Sequence, residues 1–136
     1  MNIWVGDIET LKEFSLFSFY NPLTKEWKEF QINKNKNDLL SFCNWYNANN
    51  IEYAVYYNGI GFDCVVIEYC LRNYEGWIDL DSLTITKLIW QYAQDVIDNK
   101  NYGVFLQYRE EHFSVPCIDV FTINGLDNEA RRSSWT

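Results

Sequence analysis

The stretch that decides the fold class begins Ile51-Glu52-Tyr53-Ala54-Val55-Tyr56-Tyr57. It continues through Asn58-Gly59-Ile60-Gly61 into Phe62-Asp63-Cys64-Val65-Val66-Ile67-Glu68-Tyr69-Cys70-Leu71-Arg72-Asn73. The first part is a near-continuous apolar run, as expected of a buried, parallel strand. The two glycines mark a loop. From Phe62 to Asn73 the apolar residues Val65, Val66, Tyr69 and Cys70 fall at helical spacing, which predicts a helix. A strand, a short loop and a helix in this order are the ingredients of an α/β domain.

Upstream, Ile3, Trp4 and Val5 read as a short buried strand. Lys12 to Tyr20 and Glu26 to Ile32 read as the second and third strands of an antiparallel meander, with a turn signal at Asn21-Pro22-Leu23-Thr24. Asn37-Asp38 offers an N-cap for a helix carrying Leu39, Leu40, Phe42, Cys43, Trp45 and Tyr46, closed by Asn49-Asn50. Downstream, Asp81-Ser82 caps a third helix, whose stripe of Ile85, Leu88, Ile89, Tyr92, Ala93, Val96 and Ile97 runs to Asn99. Val104 to Tyr108 and Cys117 to Ile123 read as two more strands. The predicted order is β-β-β-α-β-α-α-β-β: a mixed sheet with helices packed on it. Ligands of such sheets sit at the C-terminal ends of the strands.

Residues 1–136 suffice for a single domain with one core. A hydrophobic fraction of 48% with 18% aromatic residues argues against disorder. No apolar run reaches the roughly 18–20 residues of a membrane span, and no basic stretch leads an apolar one at the N-terminus. A cytoplasmic protein without a membrane partner is therefore expected. Cys43, Cys64, Cys70 and Cys117 form no C-x-x-C pair, and His112 is the only histidine. Structural zinc is disfavoured, and reduced, mostly buried thiols are expected. A net charge of −8 counts against a passive nucleic-acid-binding module, but less against a nuclease, which holds a few nucleotides through local contacts.

The chemistry-bearing residues begin at Asp7-Ile8-Glu9-Thr10, at the end of the first predicted strand. Residues i and i+2 of a strand share a face, so Asp7 and Glu9 project together while Ile8 turns into the core. Adjacent carboxylates repel unless a cation or proton lies between them, and magnesium or manganese take such oxygen ligands. An acidic pair on the solvent face of a strand is the plainer alternative. Asp63, in the first turn of its helix, likewise reads alone as an ordinary helix-start acid.

Together, Asp7-x-Glu9-Thr10 closing a strand and Asn58-x-x-x-Phe62-Asp63 opening a helix resemble the first two motifs of the DEDD superfamily of 3′–5′ exonucleases. The likeness is to stand-alone phage exonucleases and to the proofreading domains of protein-primed, family B phage DNA polymerases. Asp119-Val120-Phe121-Thr122-Ile123 and Arg131-Arg132-Ser133-Ser134 also resemble the strand and loop before the third motif. The resemblance implies a ribonuclease-H-like sheet of three antiparallel meander strands plus parallel strands, flanked by helices. It implies that Asp7, Glu9 and Asp63 are catalytic and hold two magnesium or manganese ions. Thr10, Asn58 and Phe62 would grip the 3′ end of single-stranded DNA, or of RNA, releasing nucleoside 5′-monophosphates. The setting it implies is the cytoplasm of a phage-infected host.

The third motif, Tyr-x-x-x-Asp or His-x-x-x-Asp, is not found. His112 is followed four residues on by Pro116, and Tyr92 by Val96; Asp95 and Asp98 come too early, and Asp119 belongs to the preceding strand. The sequence ends at Thr136, near where the family continues toward that helix, so an N-terminal portion of an exonuclease-like domain is expected. A missing helix would leave part of the sheet uncovered, open to self-association or to a partner chain. The competing expectation is a non-catalytic phage protein that binds or inhibits another protein on the same fold. His112 reads as a solvent-facing residue, Asp79 and Asp81 as surface and capping acids, and Arg131-Arg132 as either a solvated pair or a phosphate contact.

Overall fold

The computed structural model describes residues 1–57, 62–101 and 112–120. Strand β1 (Ile3–Leu11) turns through Lys12-Glu13 into β2 (Phe14–Tyr20), and β3 (Trp27–Asn33) completes the antiparallel meander. Asn21 organises the second turn. Its side-chain oxygen accepts the N–H of Leu23 at 3.0 Å and of Thr24 at 3.2 Å, and Lys25 takes a φ of 64°. A two-residue strand β4 (Lys36–Asn37) leads into α1 (Leu39–Ala48). Then follow β5 (Tyr53–Tyr56), α2 (Cys64–Asn73), a 3-10 turn over Tyr74–Trp77, α3 (Ser82–Asn101) and β6 (Cys117–Asp119). The sheet order is β4-β3-β2-β1-β5-β6, with β1, β5 and β6 mutually parallel. The expected α/β architecture with a mixed sheet is therefore present. The predicted strand at Val104 to Tyr108 lies outside the described residues, as does the second half of the one predicted at Cys117 to Ile123.

Every buried strand residue lies on one face. Trp4, Gly6 and Ile8 of β1 share it with Phe19, Phe17 and Ser15 of β2, Phe30 and Ile32 of β3, and Ala54 and Tyr56 of β5. The helices build the core on this face. Phe42 of α1 stacks on Phe17 with ring centroids 4.4 Å apart, and Trp45 meets Trp4 edge-on at 5.0 Å. Thr86 of α3 shares a buried hydrogen bond with Ser15. Gly6 is required where Phe19 and Tyr56 converge: a Cβ there would collide with the Tyr56 ring and lie 2.6 Å from the Phe19 ring.

Three details differ from the sequence reading. Ile3-Trp4-Val5 is buried only at Trp4, and Val5 is 44% exposed. The β5 run is likewise one-sided, with Tyr53 and Tyr57 exposed. Continuous apolar runs suggested burial on both faces, but the described helices all pack against one. Second, β1 does not stop at the acidic pair. β2 pairs with it out to Leu11, which carries the strand through Asp7 and Glu9. Third, Asp38 caps no helix N–H. Its carboxylate instead accepts the Gln31 N–H at 3.0 Å and an ion pair from Lys36 at 3.4 Å, while Asn37 accepts the Leu39 N–H at 3.2 Å. Competition from the adjacent β3–β4 hairpin redirects the cap.

A buried carboxylate fixes β6. Glu68 of α2 is almost fully buried. It accepts the Ser114 N–H at 2.8 Å, the Ser114 hydroxyl at 3.0 Å and the Arg72 Nε–H at 2.9 Å. Arg72 also donates to the carbonyl of the exposed His112 at 3.2 Å. The segment entering β6 is thereby tied to the helix that carries Asp63. This is a satisfied buried charge.

Candidate acidic site

The site follows from unequal strand lengths. β1 pairs with β5 only through Ile3, Trp4 and Val5, whereas β1 itself runs to Leu11. Past Val5, among the described residues, no strand pairs with β1 on the β5 side, and its backbone groups there need other partners. The start of α2 supplies one. The Asp63 carboxylate faces two backbone N–H groups, that of Ile8 in β1 and its own, and makes no side-chain capping bond further into α2. Asp63 thus stands at the N-cap position of α2, as the helix-start reading expects, but its carboxylate caps none of the following helix N–H groups and also faces β1.

Asp7 and Glu9 flank Ile8 and lie on the exposed face, as the period-two pattern requires, with Ile8 buried between them. Asp63 is nearly buried, and its acidity is pushed to a pKa of about 7. Burial is the main cause; the negative charge of Asp7 adds to it and that of Asp119 adds a smaller part, against the N–H groups of Ile8 and of Asp63 itself, which favour the ionised form. Asp119, at the end of β6 and paired with Tyr56 of β5, is also buried. Three carboxylates from β1, α2 and β6 thus come within electrostatic reach at the C-terminal ends of β5 and β6. Asp119 was not singled out as a site residue from sequence. Its position in the strand Cys117–Asp119, parallel to β5, was the available signal.

The other expected site residues are placed differently. Thr10 alternates with Glu9 and is half-buried on the core-facing side of β1, across the strand from the acidic pair. Phe62 is half-buried against Val65 and Val96, one residue before Asp63. Asn58 lies outside the described residues, as do Arg131 and Arg132. The Cys64 thiol, directly after Asp63, is buried, and burial raises its pKa, with the nearby Cys117 adding to the shift. All four cysteines are free thiols, as expected. Tyr46 and Tyr56 share a buried hydrogen bond at 2.9 Å behind the site, and burial raises the pKa of both hydroxyls. Asp81 caps α3 as expected, accepting the Thr84 N–H at 2.8 Å.

The donors facing this site are carboxylate oxygens, the ligand type that suits magnesium and manganese. The crowding that raises the Asp63 pKa is relieved by either a proton or a cation. Among the described residues, no three His, Cys, Asp or Glu side chains converge tightly enough to form a ready-made metal cage. Among them, too, no helix is long and apolar enough to cross a membrane. Comparison with protein-family models, with curated proteins and with solved structures finds no match to this chain.

Proposed function

We propose that this chain is a metal-dependent 3′–5′ exonuclease domain, or part of one, on a ribonuclease-H-like sheet. The observation that carries this reading is the buried Asp63 carboxylate set within electrostatic reach of Asp7 and Asp119 and facing the Ile8 N–H of β1. Support also comes from the architecture, an antiparallel meander whose first strand continues into parallel pairing, with the acids at the C-terminal ends of the parallel strands.

In this reading Asp7, Glu9 and Asp63 hold one or two magnesium or manganese ions. Such ions, when bound, supply a Lewis acid and lower the pKa of a coordinated water. The chain's own groups have distinct tasks. Ile8, through its N–H, orients the Asp63 carboxylate. Buried Asp119 adds negative charge near Asp63, which favours the uptake of a cation or, in its absence, of a proton. Phe62 and Asn58 contact the terminal nucleotide of single-stranded DNA or RNA, with Thr10 at the far side of β1. A fourth carboxylate ligand is left to Asp119 or to another chain.

The test is thermal unfolding with and without manganese at pH 8, followed by digestion of a 3′-labelled single-stranded oligonucleotide. A site binding manganese at one hundred times its Kd would gain roughly 2.7 kcal/mol. Wild type should gain stability and Asp7→Ala should not. An equal response of both proteins, or of neither, overturns the reading.

The competing reading is a binding or inhibitor protein that kept the fold. It is favoured by the sheet face opposite the core, where Val5, Leu11, Trp27, Tyr53 and Tyr57 are exposed. On that reading a second copy or a partner chain covers this face, and manganese leaves the melting temperature unchanged.

A further inference from the structure

We propose that a groove between the β1–β2 turn and α3 binds a nucleotide unit of single-stranded nucleic acid, separately from the carboxylates. The groove has a volume of about 360 Å3 and is lined by Lys12, Thr84, Lys87, Leu88, Trp90 and Gln91. Thr84, Lys87, Leu88 and Gln91 recur at helical spacing and so form one stripe along α3. Ile85, Thr86 and Ile89 point the other way, into the core. Lys12 reaches over from the tip of the β1–β2 turn, its Nζ 5.9 Å from the centre of the Trp90 ring.

The composition of this lining is unlike the rest of the molecule. The chain carries a net charge of −8, yet the groove wall contains two ammonium groups and no carboxylate. Asp81 lies near Lys87 and Glu13 follows Lys12, but neither lines the groove. Trp90 is half-buried, so part of its indole is held by packing and part is open. An open indole beside two cations suits a ligand that is flat and aromatic at one end and anionic at the other. A nucleotide has that form: its base stacks on Trp90 beside Leu88, and its phosphate lies between Lys12 and Lys87. Stacking on an aromatic platform with phosphates held by lysines is how single strands are bound without regard to sequence. Displacing Lys12 from the ring costs little, because an exposed cation–π contact contributes only about 0.5–1 kcal/mol.

The choice of ligand rests on the nuclease reading, but the groove does not depend on the acidic site. Four residues of β1 lie between Asp7 and Lys12, a span of five residue steps or roughly 17 Å along a strand. A strand gripped here would be held at a distance from its reacting end, which would suit a surface that otherwise repels phosphate.

The experiment is fluorescence anisotropy of a labelled single-stranded thymidine 12-mer with the full chain, in EDTA, over a range of salt concentrations. Without metal there is no cleavage, so a chain that fails the manganese test can still pass this one. Wild type should bind. Lys12→Glu/Lys87→Glu should weaken binding at least tenfold and reduce the slope of log K against log salt by roughly 1.4, about 0.7 for each ammonium lost. Trp90→Leu should weaken binding at least fivefold, and Trp90→Phe should restore most of it. The exposed pair Lys25→Glu/Lys34→Glu, which changes net charge equally, should have little effect. The proposal is overturned if wild type does not bind, or if the groove variants bind like wild type. Equal weakening by the control pair also overturns it. Thymidine monophosphate competing as well as the 12-mer would overturn the strand as the source of the nucleotide.

Discussion

Asp63→Asn separates the site reading from ordinary helix chemistry. The folded-state pKa of Asp63 is raised from 3.8 to about 7, mainly by burial, with Asp7 and then Asp119 adding to it. A raised carboxyl pKa means that the native state binds the proton more tightly than the unfolded chain does. The stability it contributes is complete below about pH 4 and is lost as the pH rises through about 7. A shift of about three units corresponds to about 4 kcal/mol, at roughly 1.36 kcal/mol per unit. Asparagine keeps the shape, and its amide oxygen can accept the Ile8 N–H, but it carries no charge. Its amide nitrogen needs a partner, and leaving it unpaired costs about 1–3 kcal/mol. Asp63→Asn is therefore expected to be the less stable protein at pH 4 and the more stable one at pH 8, by about 1–3 kcal/mol. Urea unfolding at half-unit pH intervals, with EDTA present, measures the difference between the two proteins and cancels the titration of every other acid. A difference that stays flat from pH 4 to pH 8 would refute the reasoning, because Asp63 would then titrate as it does in the unfolded chain. The same logic sets the direction for metal: manganese should stabilise wild type at pH 8 and progressively less below pH 6, where a proton occupies Asp63.

Other substitutions test the frame around the site. Gly6→Ala forces a methyl group into the Phe19 and Tyr56 rings and should destabilise by about 1–3 kcal/mol, read as a lower urea midpoint with an unchanged slope. Glu68→Ala removes the acceptor for the Ser114 N–H, the Ser114 hydroxyl and Arg72; a loss of about 3 kcal/mol is expected, with faster amide exchange in residues 114–119. Ser15→Ala should lose about 1–3 kcal/mol by orphaning the Thr86 hydroxyl, whereas Ser15→Ala/Thr86→Val should recover most of that loss; additive effects would show that the two hydroxyls do not depend on each other.

Much of this fold was legible because its elements follow local rules. The stripe of α3, the strand Tyr53–Tyr56 and the helix Cys64–Asn73 depend on spacing alone, and spacing is visible in a sequence. Burial of Ile8 between exposed Asp7 and Glu9 follows from strand alternation in the same way. What was not legible depended on pairing over long distances. The register Leu11↔Phe14 carries β1 past its acids, and nothing in Ile3-Trp4-Val5 shows that only one face will be covered. The partner of Asp63 is equally non-local. Whether that carboxylate bonds its own helix or the Ile8 N–H depends on where β5 stops, and the apolar run from Ile51 to Tyr57 does not mark that point. Asp119 was passed over for the same reason: its nearness to Asp63 comes from the parallel register Tyr56↔Asp119.

The unequal lengths of β1 and β5 link the fold to its chemistry. Had β5 paired with β1 as far as Leu11, the Ile8 N–H would bond a strand carbonyl and Asp63 would have no anchor. β5 instead ends at Tyr56, and the start of α2 brings Asp63 to the Ile8 N–H of β1. A carboxylate facing backbone N–H groups is positioned by them rather than by a counter-charge. Among the described residues, Arg72 is occupied by Glu68, and no lysine or arginine is among the causes of the Asp63 shift. Among those residues the acidic cluster is thus positioned without a built-in cation. A structural ion pair would be arranged the other way, with its counter-charge built in. The arrangement suits a site whose positive charge arrives from solution.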